Sequence, residues 1–244
     1  MRLIKLVFFT LFLFSTALLF SFNKQFHLQP SSFQGAWQLQ KGNEEEILLF
    51  KDGYFTHTTY NQNNKQFIQT RGGTYTTNTN NKVAAVIEFD TRNKDRIGQT
   101  ENYQFAINKG LLQTDLNGMQ QNWKQLDNGI APLAGVWHIT ARMQNNSLTP
   151  IHQTGPRKTI KILTGTRFQW AAINPETKEF FGTGGGAYTF TNGKYTEQIA
   201  FFSRDSSRVG AALTFDGKLE NGDWHHSGLS SRGEKIYEVW SRVK

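Results

Sequence analysis

The 244-residue chain carries 27 Lys and Arg against 19 Asp and Glu, a formal net charge of +8, with 14 % aromatic residues, 22 glycines, five prolines and no cysteine. The absence of cysteine excludes a disulfide framework, a thiolate metal site and a cysteine nucleophile. The basic residues are scattered among acids rather than gathered in one run, so nucleic acid is not an expected partner. Many aromatics, Thr, Gly and Asn with few prolines favour short strands joined by tight turns over helices.

Residues 1–22 are of a different material from the rest. Arg2 and Lys5 precede an uncharged apolar run from Leu6 to Phe22, which reads as an export signal, either cleaved or kept as an N-terminal anchor. Without a lipid-attachment cysteine it is not expected to be a lipoprotein leader. The body is placed in the periplasm, secreted, or on the outer face of a bacterial membrane, and removal of the leader lowers the charge to about +6. Residues 23–32 form a polar spacer.

From 33 onward strand-like segments follow one another. Ile47–Phe50 and Tyr54–Tyr60 flank Lys51-Asp52-Gly53 as a hairpin. Lys82–Phe89 and Arg96–Ile107 are further strands, with turns at Asn108-Lys109-Gly110 and Asn117-Gly118, and Met119–Leu126 closes the series. Residues 127–132 read as a linker, short enough for the flanking halves to touch. The second half runs through Thr159–Leu163, Arg167–Ile173, Glu179–Phe190, Lys194–Ser203 and Val209–Phe215. A turn is predicted at Asp216-Gly217, then a strand past Trp224 and a closing strand Lys235–Val243. No long segment has a helical period.

The chain is built twice. Phe33-Gln34-Gly35-Ala36-Trp37 recurs one hundred residues on as Leu133-Ala134-Gly135-Val136-Trp137. Gly72-Gly73-Thr74-Tyr75 recurs as Gly185-Gly186-Ala187-Tyr188, Arg96-Ile97-Gly98 as Arg208-Val209-Gly210, and Trp123 as Trp240. An insertion around Met143–Pro156 accounts for most of the length difference. Residues 33–126 and 133–244 are therefore expected to be two domains of about eight strands each, closed on themselves without exposed edges.

With Gly-x-Trp on the first strand and a basic residue near a Trp on the last, each half resembles a calycin barrel, the lipocalin and fatty-acid-binding group. The resemblance implies an all-β fold of two tandem antiparallel up-and-down eight-stranded lipocalin-like barrels. It implies that Trp37 and Trp137 pack at the closed ends, with Lys124 and Arg242 near them. Through Ile162–Trp170, Gly184–Tyr188, Gly193–Glu197 and Tyr237–Trp240, the second half is also similar to a bacterial family of secreted lipocalin-like domains of unknown function. The first half is a diverged relative.

Side chains alternate along strands, which puts Phe168, Trp170 and Ala172 on one face. Tyr195, Glu197, Ile199 and Phe201 share another, as do Ile236, Glu238, Trp240 and Arg242. If these faces point inward, the second barrel encloses Trp170, Tyr195, Glu197, Glu238 and Arg242. At the matching positions the first half has His57, Val83, Ala85, Gln121 and Gln125, so the ionisable set belongs to one half only. Positions held in common read as scaffold: Trp37, Trp137, Trp123, Trp240, Arg96, Arg208, and the pair Arg92 and Arg204. The second-half set is either a self-satisfied charge network or a polar anchor for a ligand among aromatic walls.

Trp224-His225-His226 is not a metal motif, because adjacent strand residues face opposite ways. The glycine run 182–186 precedes a strand rather than a helix, so it is read as relief for a bent strand and not as a phosphate cradle. No metal or cofactor is expected. The leading expectation is an exported, non-enzymatic binding protein whose second barrel takes a small hydrophobic or amphipathic ligand, and which would touch a membrane only through the N-terminal segment, where that is kept uncleaved. The alternatives are an envelope interaction module with solid barrels, and an enzyme using Glu197 or Glu238 as general acid or base.

Overall fold

A computed structural model describes residues 33–78, 82–116, 118–151, 155–230 and 233–243. The signal or anchor segment 1–22, the spacer 23–32 and Asn117 of the predicted Asn117-Gly118 turn lie outside the described residues. Among the described residues the chain is all β, apart from one-turn 3-10 segments at Lys94–Arg96 and Ser206–Arg208.

The first half comprises β1 (Gly35–Lys41), β2 (Glu44–Lys51), β3 (Tyr54–Asn61), β4 (Gln66–Thr77), β5 (Lys82–Asp90), β6 (Thr100–Asn108), β7 (Leu111–Thr114) and β8 (Gln121–Asp127). Each strand pairs antiparallel with the next, and β8 pairs with β1 to close the barrel. The second half comprises β9 (Gly135–Gln144), β10 (Ser147–Pro150), β11 (Lys158–Leu163), β12 (Arg167–Asn174), β13 (Glu179–Thr191), β14 (Lys194–Phe202), β15 (Ala212–Glu220), β16 (Asp223–Leu229) and β17 (Lys235–Arg242). Here β9, β11 to β17 and the β9–β17 pairing form the closed eight-stranded barrel, while among the described residues β10 pairs only with β9. The insertion thus supplies a hairpin arm on β9, of which residues 152–154 are outside the described range.

Turn chemistry accounts for most hairpins. Asp52 and Gly53 both have positive φ (46° and 74°), as the predicted two-residue turn requires. The predicted turn at Asp216-Gly217 is corrected: Gly217 pairs with His226 inside β15. The chain reverses instead at Asn221-Gly222, with φ of 53° and 88°. Both dipeptides can form such a turn. The extended pairing of β15 with β16 and β14 decides between them, because Asp216 is already committed opposite Lys194. Arg96, predicted as the start of a strand, sits in the 3-10 turn, and β6 begins at Thr100.

The two barrels pack side by side. A shared cluster unites Ile47, Leu49, Tyr60 and Phe89 of the first with Ile160, Ile162, Ile173 and Phe201 of the second. Inside it, Gln169 bridges the halves, donating to Thr70 Oγ1 (3.0 Å) and Thr183 Oγ1 (3.1 Å) and accepting from Thr58 Oγ1 (2.9 Å). All eight residues of β3 are buried, because one face lines the first barrel and the other lies against the second. Asp127, at the end of β8, accepts from the backbone N–H of Gly165 (2.8 Å) and Thr166 (2.9 Å) and from the Thr164 hydroxyl (2.8 Å), fixing the β11–β12 turn.

Candidate functional site

The interiors of the two barrels differ. The first is packed over part of its interior by its own rings, with Phe33, Phe50, Tyr75 and Phe105 meeting at ring-centroid distances of 5.2 to 5.8 Å, and keeps a cavity of about 150 Å³ lined by polar side chains. The second holds a cavity of about 300 Å³, at the low end of the range of small-molecule pockets. It opens at the end where β14 connects to β15 and β16 to β17. Its apolar walls include Trp170, Ile199, Phe202, Leu213, Phe215, Ile236 and Trp240, and its polar groups are Lys161, Glu197, Arg208, His226 and Glu238.

Glycine in β13 makes room for the walls. A Cβ at Gly184 would stand 2.8 Å from the Trp170 indole nitrogen and from Phe202. With hydrogen there instead, Trp170 lies over the strand and meets Phe202 edge-on at 5.5 Å. The run 182–186 is strand throughout, as the sequence reading expects.

The floor is an ion pair inside an aromatic cage. Lys161 is 5 % and Glu197 6 % exposed, and Lys161 Nζ lies 2.5 Å from Glu197 Oε1, which also accepts the Tyr195 hydroxyl at 2.9 Å. The rings of Tyr195, Trp224, Phe168 and Trp240 stand 4.9 to 5.7 Å from the ammonium. Burial at this depth costs several kcal/mol per charge unless both partners are present.

A second polar pair lies beside it. His226, 4 % exposed, has its Nδ1 3.5 Å from Glu238 Oε2, too long for a good hydrogen bond, and neither ring nitrogen has a hydrogen-bond partner among the described residues. Burial holds the His226 imidazole below its ordinary pKa despite Glu238, and Lys161 adds to this. Glu238 accepts the Trp240 indole N–H at 3.0 Å. Burial would raise Glu238, but His226, Trp240 and Lys161 together hold it below the usual carboxylate range.

Of the residues singled out from sequence, Trp170, Glu197 and Glu238 come together on the cavity wall. Tyr195 lies beneath it as the hydroxyl donor to Glu197. Arg242 does not reach it: its guanidinium stacks on Trp137 at 4.3 Å and donates to Ala134 O at 2.8 Å. That is the place the calycin resemblance implies for a basic residue of the last strand. The equivalent in the first barrel is Gln125, which pairs with Trp37, whereas Lys124 is exposed. Phe201 is also displaced from its expected face. A bulge at Ala200 sets Ile199 opposite Gly186 and Phe201 opposite Gly185, so Phe201 turns outward against the first barrel and Phe202 turns inward. Trp37, Trp123 and Trp137 are buried scaffold and Arg96 pairs with Asp90 and Glu101, whereas Arg208, expected as scaffold, lines the cavity.

Lys161 and His226 were not selected from sequence. Lys161 shares a strand face with Thr159 and Leu163, and its counterpart in the repeat is Leu48, opposite His57 as Lys161 is opposite Trp170. A lysine where the sister half has a core leucine is the signal that could have found it. For His226, alternation excludes joint metal binding with His225, and the structure agrees: His225 Nδ1 meets the Tyr237 hydroxyl while His226 points in. Among the described residues no group of His, Asp and Glu is placed to hold a metal ion. No family model matches the chain, and no curated protein matches it.

Proposed function

We propose that the protein is an exported, non-enzymatic binding protein whose second barrel holds a small, partly apolar molecule. The observation that carries this reading is the contrast between the halves. The second barrel has an open, largely apolar cavity of about 300 Å³ over Lys161, Glu197, His226 and Glu238, where the first has Leu48, Ala85, Thr114 and Gln121 and a smaller, polar-lined cavity of about 150 Å³. Since the first barrel folds with neutral residues at these positions, the charges are not needed to build such a barrel. The apolar walls would take the ligand's body, and Glu238, His226 and Arg208 its polar end, with the imidazole able to donate or accept. The lowered pKa of Glu238 runs opposite to what a general acid needs near neutral pH.

Native mass spectrometry of the full chain, purified without denaturation, tests the proposal together with displacement of an amphipathic fluorescent probe. A retained small molecule or saturable probe binding, lost in Trp170→Ala and weakened in Glu238→Gln, is the expected result. A wild-type chain that retains nothing and binds the probe no better than Trp170→Ala would rule it out.

A further inference from the structure

Where the barrels meet there are two clefts that the repeat makes counterparts of each other, one bridged by side chains and one open. In the bridged cleft Lys158 of β11 reaches across to Glu88 of β5, Nζ to Oε1 at 2.6 Å, and the Tyr54 hydroxyl of β3 donates to Glu88 Oε2. Strand register gives the counterparts. Glu45 pairs with Tyr60 as Lys158 pairs with Ile173, and Tyr54 pairs with Thr74 as Arg167 pairs with Ala187. Glu88 and Ala200 are the bulged residues of β5 and β14. The open cleft therefore has Glu45 in place of Lys158, Arg167 in place of Tyr54, and a methyl group in place of the Glu88 side chain.

A cavity of about 270 Å³ occupies the open cleft, with Ile47 and Leu126 of the first barrel and Ala200 of the second among its apolar lining. Its two charged side chains, Glu45 and Arg167, come from opposite barrels. Glu45 Oε2 accepts from Gln38 Nε2 (2.7 Å) and from the Tyr60 hydroxyl (3.3 Å). Arg167 Nη1 donates to Thr166 O (3.3 Å) and Thr166 Oγ1 (3.1 Å). Among the described residues, then, each charge is hydrogen-bonded by neutral groups. Both act on the Tyr60 hydroxyl, whose pKa burial and Glu45 raise and Arg167 pulls down. Opposite charges thus face one space without pairing across it.

We propose that this cleft binds a small zwitterion of the α-amino acid class, its carboxylate on Arg167 and its ammonium on Glu45. The bridged cleft supplies the comparison, because there the protein's own carboxylate, Glu88, is held by donors at the Lys158 and Tyr54 positions. In the open cleft the Tyr54 position still offers a donor, the guanidinium of Arg167, which matches a carboxylate as a planar pair. The Lys158 position has become an acceptor, Glu45. A simple carboxylate would therefore meet one favourable charge and one repulsive one, and so would a simple amine. A molecule carrying both charges satisfies both walls. At ~30 Å³ per water the space is worth about nine waters, which suits an amino acid with a small or branched apolar side chain turned toward Ile47 and Leu126.

Isothermal titration calorimetry of the full chain tests this with glycine, alanine, valine and leucine in separate arms, and with acetate and methylammonium as carriers of one charge each. Saturable binding of at least one amino acid is expected, with acetate and methylammonium about tenfold or more weaker. Arg167→Gln and Glu45→Gln should each weaken amino-acid binding about tenfold or more, with circular dichroism establishing that the variants are folded. Ala200→Glu, which installs the carboxylate of the bridged cleft beside Arg167, should abolish it. Trp170→Ala should bind the amino acid as wild type does, which separates this site from the cavity of the second barrel. No saturable heat up to roughly 10 mM for any amino acid, unchanged affinity in Arg167→Gln, or acetate binding as tightly as the amino acids would overturn the proposal.

Discussion

Lys161 and Glu197 are buried within a few ångströms of each other, and each is tolerable there only while the other is charged. Removing one partner is therefore worse than removing both. Lys161→Leu should cost about 3–5 kcal/mol in urea unfolding. The double variant Lys161→Leu with Glu197→Ala, which installs the first barrel's own pair, Leu48 and Ala85, should recover most of that loss. A double variant no more stable than the single one would contradict the account. In the first barrel the buried group to titrate is Glu46. Burial raises its pKa, but the His57 and Lys41 contacts outweigh this and bring it down from 4.5 to about 2. Because the folded value is the lower one, the unfolded chain takes up the proton first, and the stabilisation is fully present above about 4.5 and lost as pH falls toward 2. The contribution is about 3 kcal/mol. His57 and His226 are also lowered on folding, so their share fades as pH drops below about 6.5. Denaturation midpoints measured across this range should fall steadily in the wild type, and Glu46→Gln should flatten the part below about 4.5. Parallel curves would remove Glu46 from the explanation. The wall residues Trp170, Glu197 and Glu238 were legible from strand alternation and the repeat. Lys161 was not, because a lysine in a strand is ordinarily solvent-facing and nothing local marks it as buried.

Bulges decide which side chains reach the cavity. Each barrel has one on its fifth consecutive strand, at Glu88 in β5 and at Ala200 in β14, opposite a glycine of the preceding strand, Gly73 or Gly186. A Cβ on Gly186 would lie 1.9 Å from Gln198 O, and one on Gly73 2.0 Å from Val86 O, with only backbone to yield. Gly186→Ala should therefore cost about 3 kcal/mol, the upper part of the range for overpacking. It should also disturb the cavity, since Phe202 depends on this bulge to point inward. Thermal melts, together with the near-ultraviolet circular dichroism of the Trp170–Phe202 wall, measure both effects. A melting temperature within error of wild type would show that the register tolerates a side chain here. This is also where alternation failed as a guide. It assigns Tyr195, Glu197 and Ile199 to the inner face correctly and then carries Phe201 with them. The residue that breaks the period is an alanine, and its partner is one of several glycines in the run, so neither announces a bulge. The same limit applies to Asp216-Gly217, a good local turn signal overridden by pairing on both sides.

At the scale of the whole molecule, the repeat extends from the fold to the contact between its halves. Ile47 and Leu49 of the first barrel occupy the positions of Ile160 and Ile162 in the second, and all four lie in the shared cluster. Phe67 meets Phe201 at 6.4 Å, and the equivalent pair, Phe180 with Phe89, meets at 6.3 Å. Each half presents the same surface to the other, the arrangement of a two-fold dimer interface inside a single chain. The tandem was legible in the sequence, but this interface was not. Alternation divides a strand into inward and outward faces without saying what covers the outward one, and in β3 both faces are covered. A cluster shared in this way should make the barrels unfold together, so calorimetry of the wild type should show one transition. Ile162→Asp places an unpaired carboxylate in the middle of the contact, a burial that costs several kcal/mol. The variant should relieve that cost by parting the halves while keeping each barrel's inner core, Trp37 and Trp123 in one and Trp137 and Trp224 in the other. Two separable transitions, with far-ultraviolet circular dichroism at low temperature close to wild type, are the expected outcome. A single transition merely shifted downward would mean that neither barrel stands without its neighbour, and that the contact between them is part of one indivisible core.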